Sequence, residues 1–468
     1  MAGLGGNPIN LSILEIAAFV AHELLLFSVV GFLIGGADDL LIDMIWMCRT
    51  IWRRFTIYRR KAGATSSTLE PACVPGRAVI FVPAWDEERV IGSMLSHAAG
   101  VFGGQDYRIY VGCYPNDAAT AAAIRSVGVP QVRIVVGSAD GPTTKADCLN
   151  TLWRALIADE IAQGWRAKSI VLHDAEDVVH SAELRIFDRL IERFDFVQLP
   201  VLPLVDPGSR WIGGHYIDEF SEAHGKTMVV REAIGAGIPA AGVGCAFARD
   251  MIGRIAESRG GVPFDHDSLT EDYELGLRVA ELGGRGIFVR LPHTGGGIVA
   301  VRAHFPATLD EAVRQKSRWI AGIALSGWDR LGWRGGLAES WMRLYDRRAL
   351  AGATVMLTAY LALLLAIMLR VLGWIDGVPV RMPSPLVHGL LLASGLFLFW
   401  RLMMRFAFVT ATYGWREGAR AVPRVIVSNV IAVMAARRAL AVYLRMRRDG
   451  VVRWDKTAHA FPAIVPAE

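Results

Sequence analysis

Apolar residues are unevenly spread along the chain. From Ala349 to Leu369 no charged side chain occurs, and between 382 and 400 His388 is the sole ionisable group. Roughly 20 apolar helical residues cross a hydrocarbon core, so each stretch predicts a transmembrane helix. The link from Trp374 to Arg381 carries Gly and Pro and joins them on one side. Residues 11–36 form a third apolar run, interrupted by Glu15, His22 and Glu23, which also reads as a span. A cleavable signal peptide is the competing reading, but a basic leader and a small-residue cleavage site are missing. Glu23 inside a span is costly and therefore a functional candidate, unless the boundary shifts or His22 pairs with it.

Two segments have a different rhythm. Residues 39–58 set Leu40, Leu41, Met44, Ile45, Met47 and Ile51 among acids at one end and arginines at the other. Residues 421–445 mix Val425, Ile426, Val430 and Ile431 with Arg437, Arg438 and Arg445. Helices of this kind lie in the membrane interface. For 421–445 a fourth span is the alternative.

Between these ends, β-branched runs alternate with helix-period stretches, which predicts an α/β, Rossmann-like domain with a mostly parallel sheet. Ala78–Ala84, Arg108–Tyr114, Val132–Gly137, Ser169–Asp174 and Phe194–Val201 read as strands. Glu87–Gly100, Ala118–Val127 and Lys145–Gln163 read as helices, as do Glu219–Arg231 and Asp310–Leu325 further on. The chain divides into a transmembrane helix (1–37), an interfacial helix and linker (38–71), a catalytic domain (72–335), two transmembrane helices (336–413) and an interfacial helix with a tail (414–468).

Composition supports that division. The 468 residues are 53% hydrophobic and only 20% charged, with a mean hydropathy of +0.34, which fits a membrane protein with one water-facing domain. The net charge of +5 is modest, and the basic residues flank apolar runs: Arg49, Arg53, Arg54, Arg59, Arg60 and Lys61 on one side, Arg343, Arg347 and Arg348 on the other. That pattern predicts no nucleic-acid partner, contact with membrane lipid, and a cytoplasmic middle domain. Cys48, Cys73, Cys113, Cys148 and Cys245 are odd in number and lack a CxxC pair. They read as small buried hydrophobes in a reducing compartment, not as a disulfide framework or zinc site.

In open sheets, ligands bind beyond the carboxyl ends of strands, and the polar motifs fall there. The first strand ends in Pro83-Ala84-Trp85-Asp86-Glu87-Glu88, where an aromatic ring and carboxylates suit a base and ribose, or an acidic helix start. The second ends in Tyr114-Pro115-Asn116-Asp117, with Asp117 a ribose contact or an N-cap. Lys145, at a helix start within Gly141-Pro142-Thr143-Thr144-Lys145, combines a point charge with free backbone donors, a phosphate contact; a solvated lysine is the alternative. His173-Asp174-Ala175-Glu176-Asp177 offers hard oxygen ligands for Mg or Mn, or a solvated acidic loop. Gly242-Val243-Gly244-Cys245 would let a ligand approach the backbone closely, or pack tightly on a helix. Thr270 can cap a helix running through Leu282, with Glu271 and Asp272 in its first turn. Gln315, Lys316, Ser317, Arg318 and Trp319 follow, with Gln315 and Trp319 one turn apart. A bridging cation, a carboxylate base and a cationic residue near departing phosphates are what chemistry on a sugar nucleotide needs.

The order and spacing of these motifs resemble the family 2 inverting glycosyltransferases with the GT-A fold, the membrane group that includes cellulose and hyaluronan synthases; the resemblance covers residues 78–330. It implies that Asp272 is the base, flanked by Glu271, that Arg318 neutralises the diphosphate, and that Gln315 and Trp319 complete the site, Trp319 stacking on the acceptor sugar. It implies a nucleotide-sugar site of Pro83, Trp85, Asp86, Glu87, Asp117, Lys145 and Asp174, and a Mg or Mn ion on Asp174 and Glu176 with Asp177 as rival. Gly244 and Cys245 would floor the acceptor pocket. The loop at Asp117 departs from the family's Asp-Asp-x-Ser pattern, and Glu176 stands where a second Asp is usual.

Asp38-Asp39-Leu40-Leu41-Ile42-Asp43, Pro423-Arg424 with Asn429, Arg437 and Arg438, and Trp454-Asp455-Lys456-Thr457 resemble the NfrB-like glycosyltransferases of the bacterial phage-adsorption system. That implies a multi-pass protein of the bacterial inner membrane, a UDP-N-acetylhexosamine donor, an envelope polysaccharide product and an outer-membrane export partner. A longer member of the group senses cyclic-di-GMP, which here would fall to another subunit. Transfer of one sugar to a polyprenyl-phosphate lipid and a non-catalytic nucleotide-binding scaffold or receptor are the alternatives.

Overall fold

The computed structural model describes residues 8–376, 384–449 and 460–462. The Gly- and Pro-containing part of the Trp374–Arg381 link and the Trp454-Asp455-Lys456-Thr457 segment lie outside the described residues. Strands β1 (Ala78–Pro83), β2 (Tyr107–Cys113), β3 (Val132–Val136), β4 (Ser169–Leu172), β5 (Phe196–Gln198), β6 (Val201–Pro203), β7 (Cys245–Ala248), β8 (Gly286–Phe288) and β9 (Val301–Ala303) run through the middle of the chain. Seven form one sheet in the order β3-β2-β1-β4-β7-β5-β8, while β6 pairs with β9 apart from it. The β1 pairs with β2 and β4 are parallel, and β7 lies antiparallel to both β4 and β5.

All six residues of β1 are buried, as a strand covered by helices on both faces requires. Ile80 and Val82 enter one apolar cluster with Leu95 and Phe102, while Val79 and Phe81 enter the other with Leu152 and Ile170. Each such side chain contributes roughly 1.5–3 kcal/mol when fully buried. The residues read as one strand, 194–201, form β5 and β6, which belong to different sheets. Between them Gln198 turns its fully buried amide inward, donating to the carbonyls of Leu199, Val243 and Gly244 and accepting from Ala241 N.

Helices α1 (Pro8–Thr56), α2 (Ile91–Val101), α3 (Ala118–Val127), α4 (Lys145–Gln163), α5 (Glu183–Leu190), α6 (Ile212–Glu222), α7 (Met228–Ala233), α8 (Arg249–Glu257), α9 (Glu271–Glu281), α10 (Leu309–Trp319), α11 (Gly327–Leu331), α12 (Leu337–Arg347), α13 (Ala349–Asp376), α14 (Pro385–Tyr413) and α15 (Trp415–Asp449) complete the chain. α3 and α4 have the bounds read from the pattern, whereas α2 starts four residues later than Glu87. The helix expected over 219–231 is α6 and α7 joined by a π turn, Ala223–Thr227. The one expected over 310–325 ends at Trp319 and passes into a second π stretch, Ile320–Ser326; such distortions are frequent at functional sites.

Stretches within α1, α13, α14 and α15 are long and apolar enough to cross a membrane. The expected break between a span ending at 36 and a separate interfacial helix is absent: α1 is one helix. Three of its acids are met by partners distant in sequence. Arg348 and Trp341 hold Asp38, Arg348 and Arg401 hold Asp39, and Lys226 and Trp400 hold Asp43. Residues 421–445 belong to the longer α15.

Candidate active site

The parallel strands β1, β2 and β4 end at one edge of the sheet. Because β7 is antiparallel to β4, with Cys245 opposite Leu172, its beginning reaches the same edge. The loops at 83–87, 114–117, 173–177 and 242–244 are therefore neighbours by topology, at the place where doubly wound sheets bind ligands.

Pro83 ends β1 within the core strand, and the Trp85 ring stands edge-on to Tyr114 with centroids 5.2 Å apart. A side chain at Gly141 would run into both rings. Asn116 fixes that glycine by donating to its carbonyl at 2.9 Å and accepting from its amide at 2.8 Å. Asp86 has φ +55°, a costly conformation for a non-glycine residue. Its amide donates to Asp117 Oδ2 at 2.7 Å. The other Asp117 oxygen accepts from Thr120 N as the N-cap of α3, and Glu87 N donates to Thr120 Oγ1. Asp117 thus braces the first loop from within.

Thr144 and Asp147 form a capping box at the start of α4, so part of the backbone donors expected at Lys145 are already satisfied. Its side chain is not the solvated lysine of the alternative reading: Nζ lies 2.5 Å from Asp174 Oδ1. Burial alone would lower the Lys145 pKa, but the charges of Asp174, Glu271 and Asp272 outweigh it and hold the ammonium well above its ordinary value. That effect ties α4, the β4 loop and α9 together in one site.

Asp177 is almost wholly buried, and its Oδ2 accepts from both Asp174 N and His173 Nδ1. It shapes the turn, leaving Asp174 and Glu176 as the acids suited to a cation. His173 is enclosed, with Glu183 bonded to its Nε2 at 2.6 Å. Burial opposes its charge, yet Glu183 and Asp177 raise its pKa to about 10.

Asp272 lies in the first turn of α9 and packs on Gly242, where φ is +78° and a side chain would collide with its carboxylate. Its Oδ1 accepts from Tyr273 N at 2.7 Å. Burial raises the Asp272 pKa, with Asp174 adding to the rise, while Lys145 and Arg318 act against it. Glu271 is pushed up to about 7 by burial and by the Asp272 charge, again opposed by Lys145 and Arg318. Thr270 holds the N-cap position, but its hydroxyl makes no cap bond. That oxygen is buried without a hydrogen-bond partner among the described residues, close against Gly322 of the π stretch.

On α10, Arg318 therefore acts on the acidic pair, while Trp319 packs edge-on against Tyr216 and Phe220 of α6, with centroids 6.1 and 6.3 Å away. Gln315 Oε1 is buried with no hydrogen-bond partner among the described residues. Cys245, expected to floor the acceptor pocket, has its side chain fully buried in the core cluster with Phe81 and Ile170; burial, with the Asp272 charge adding and Lys145 opposing, raises its pKa. Gly244 packs against Val301, so of the two glycines it is Gly242, not singled out above, that touches Asp272. Cys113 and Cys148 are buried as expected, but Cys48 and Cys73 are exposed.

Among the described residues, the ligand atoms of Asp265, His266 and Asp267 lie within 4.8 Å of one another. Asp265 is paired with Arg259 and Arg330 there, and His266 and Asp267 are exposed. The positive φ of Gly242 and the buried Tyr114 ring against Gly141 had no counterpart in composition; closely spaced glycines before a strand were the one available signal.

The family model described as "Glycosyltransferase like family 2" matches residues 75–322. Bacteriophage adsorption protein B of Escherichia coli strain K12 is 37% identical over 458 residues, covering 92% of this chain. Bacteriophage N4 adsorption protein B of Escherichia coli O157:H7 matches to the same extent. The chain spans 61% of the length of these relatives. Among solved structures, the mannosyltransferase PcManGT from Pyrobaculum calidifontis, in complex with GDP-Man and Mn2+, superposes with a TM-score of 0.54 at 17% identity. That match covers 89% of this chain and 99% of that one, a likeness of fold.

Proposed function

The chain belongs to glycosyltransferase family 2, and from that premise we propose that it is a cation-dependent inverting enzyme of the bacterial inner membrane. It moves a sugar of the N-acetylhexosamine class from a UDP-sugar to a growing envelope polysaccharide, with its catalytic domain in the cytoplasm. The observation that carries this reading is the convergence of Asp174, Lys145, Glu271, Asp272 and Arg318, from four separate segments, within electrostatic reach of one another. The two 37% identical phage adsorption proteins support the envelope setting.

In this reading Trp85, Asp86 and Glu87 hold the uridine, and Lys145 and Arg318 face the pyrophosphate. Asp174 and Glu176 fit a Mg or Mn ion because both present hard carboxylate oxygens at one strand end. When bound, such an ion offsets charge on the diphosphate leaving group. Asp272 accepts the proton of the acceptor hydroxyl as that oxygen bonds to the anomeric carbon. The UDP oxygen departs from the opposite face, which inverts the centre. Arg318 and Lys145 counter the charge left on UDP, and Trp319 offers a ring for the acceptor sugar.

Purified chain incubated with a panel of UDP-sugars and Mn or Mg tests this directly. UDP release that needs both the cation and Asp272 is the expected result; release at background across the panel would leave a nucleotide-binding scaffold. Extraction of labelled product into organic solvent separates a polyprenyl-linked sugar from a polysaccharide. An outer-membrane export protein is the partner this reading calls for.

A further inference from the structure

Asp272 sits in a socket with two walls, the first turn of α9 and the backbone leading from Gly237 to Gly242. Both walls are fastened to one helix outside the sheet, α12. Tyr273 donates its amide to Asp272 Oδ1 and its hydroxyl, at 2.7 Å, to Asp346 Oδ2 on α12. Both Asp346 oxygens also accept from Arg231 Nη1, at 2.9 and 2.7 Å. Arg231 is almost wholly buried, and its Nε donates to the carbonyl of Gly237 at 2.5 Å. The amide of that glycine donates to Glu339 Oε2, again on α12, at 2.6 Å.

We propose that Asp346 is a positioning residue for the transfer reaction: through Tyr273 on one side and Arg231 on the other, it holds the Asp272 carboxylate in register with Gly242. The inference rests on the reading of Asp272 as the base.

The two walls are themselves in close contact. Gly276, one turn beyond Asp272, brings α9 so near the backbone of Ile238, Pro239 and Ala240 that a side chain there would strike it. A shift of either wall is therefore felt by the other. The far end of α9 meets the same helix, where Arg343 donates to Glu281 at 3.0 Å and to Glu339 at 2.7 Å. With Tyr273 tied at one end and Glu281 at the other, α9 is opposed in sliding along its axis. Adhesion alone would not need the Tyr273 hydroxyl, because the ring already packs with Leu277 and Leu331. Apolar contact is non-directional, whereas a hydrogen bond to a carboxylate is strong and weakens steeply with misalignment.

α12 is held in its turn. Its Trp341 donates to Asp38 of α1, and Arg348, just after it, pairs with Asp38 as well. α13, which begins at Ala349, and α1 are both long and apolar enough to cross a membrane. The position of the base is thereby referenced to the helices that meet the bilayer as well as to the sheet. Simple cement between catalytic domain and membrane helices is the competing account, and it makes a different prediction.

Tyr273→Phe removes one hydrogen bond while keeping the ring in its cluster and the Arg231–Asp346 pair intact. In the purified full chain, kcat should fall about tenfold, within the range of about 10²-fold that small misplacements of reacting groups can cost. KM for the UDP-sugar and Tm should stay as in the parent. Asp346→Asn should lower kcat in the same direction, but it leaves the Arg231 charge uncompensated and will also lower Tm; Tyr273→Phe therefore carries the decision. The discriminating step is a double-mutant cycle. Once Asp272→Asn has removed the base, Tyr273→Phe should cost no further turnover, since moving a side chain that accepts no proton changes nothing. A tenfold loss repeated in that background would show that Tyr273 and Asp346 act as structural cement, and an unchanged kcat in Tyr273→Phe would equally overturn the proposal. Full turnover in Asp272→Asn alone would remove the base itself, a failure read from a different variant.

Discussion

The Asp272 carboxylate occupies the space that a side chain on Gly242 would fill, and the φ of +78° there suits glycine. One position thus holds the proposed base where an acceptor hydroxyl must arrive. Gly242→Ala adds a methyl group where the carboxylate sits and forces a left-handed alanine, a backbone cost of about 1–2 kcal/mol. The expected result is a fall of about 10²-fold in kcat, the scale on which small misplacements of reacting groups act, with UDP affinity preserved. Asp272→Asn should lose about 10²–10⁴-fold in turnover and likewise keep UDP binding by calorimetry. Turnover unchanged in either variant would remove Asp272 from the chemistry.

Glu271 and Asp272 predict an acid limb in the pH–rate profile above the ordinary carboxylate range. Burial raises both groups, and Glu271 titrates near 7 in the presence of the Asp272 charge. A base must be ionised to work, so kcat/KM rises with pH as the acidic pair gives up its protons. In Glu271→Gln the group that titrates last is gone, Asp272 alone sets the limb, and the limb moves to lower pH. Profiles of the two proteins over pH 5 to 9 decide it, and a limb that stays in place would show that the pair does not control the reaction.

Lys145 is the counter-charge shared by Asp174, Glu271 and Asp272. Lys145→Met leaves three acids facing one another, so their pKa values rise further and the pyrophosphate loses a cation. KM for the UDP-sugar should increase by about tenfold or more, as loss of a charged hydrogen bond of about 1.5–3 kcal/mol implies, and the acid limb should move upward in pH. Lys145→Arg should recover only part of this, because a planar fork does not reproduce a compact ammonium. An unchanged KM would place the lysine outside the donor site.

Much of this site was legible in the pattern of the chain, and the exceptions have physical causes. Lys145, Asp174 and the acidic pair follow from strand ends and helix starts, which are local features. α1 could not be read as one helix, because Asp38, Asp39 and Asp43 look like an interfacial break until Arg348, Arg401 and Lys226 are brought in from elsewhere. The split of 194–201 into β5 and β6 depends on Gln198 turning inward to clamp Val243 and Gly244, a contact across 45 residues. The family resemblance sets Cys245 on the pocket floor, but its side chain is fully buried in the core cluster with Phe81 and Ile170.

Arg424 offers a test of how α15 is fastened to the catalytic domain. It is fully buried and bonded to Asp218 and Glu417, and removing one partner of such a group costs about 3–5 kcal/mol, because the other charge is left uncompensated. Arg424→Met should therefore lower Tm markedly in detergent. The pH dependence follows from Asp218, which burial raises to about 7 even with Arg424 opposing it. A carboxyl raised in the folded state binds its proton more tightly there than in the unfolded chain, so stability falls as pH climbs from the ordinary carboxylate value towards 7. Without Arg424 the rise is larger, and the deficit should be greatest above pH 7 and shrink on acidification as the proton replaces the guanidinium. Asp218→Asn in the Arg424→Met background removes the titrating group and should return part of the lost Tm at neutral pH. A deficit that does not change between pH 5 and 8 would show that Arg424 acts through packing and not through Asp218.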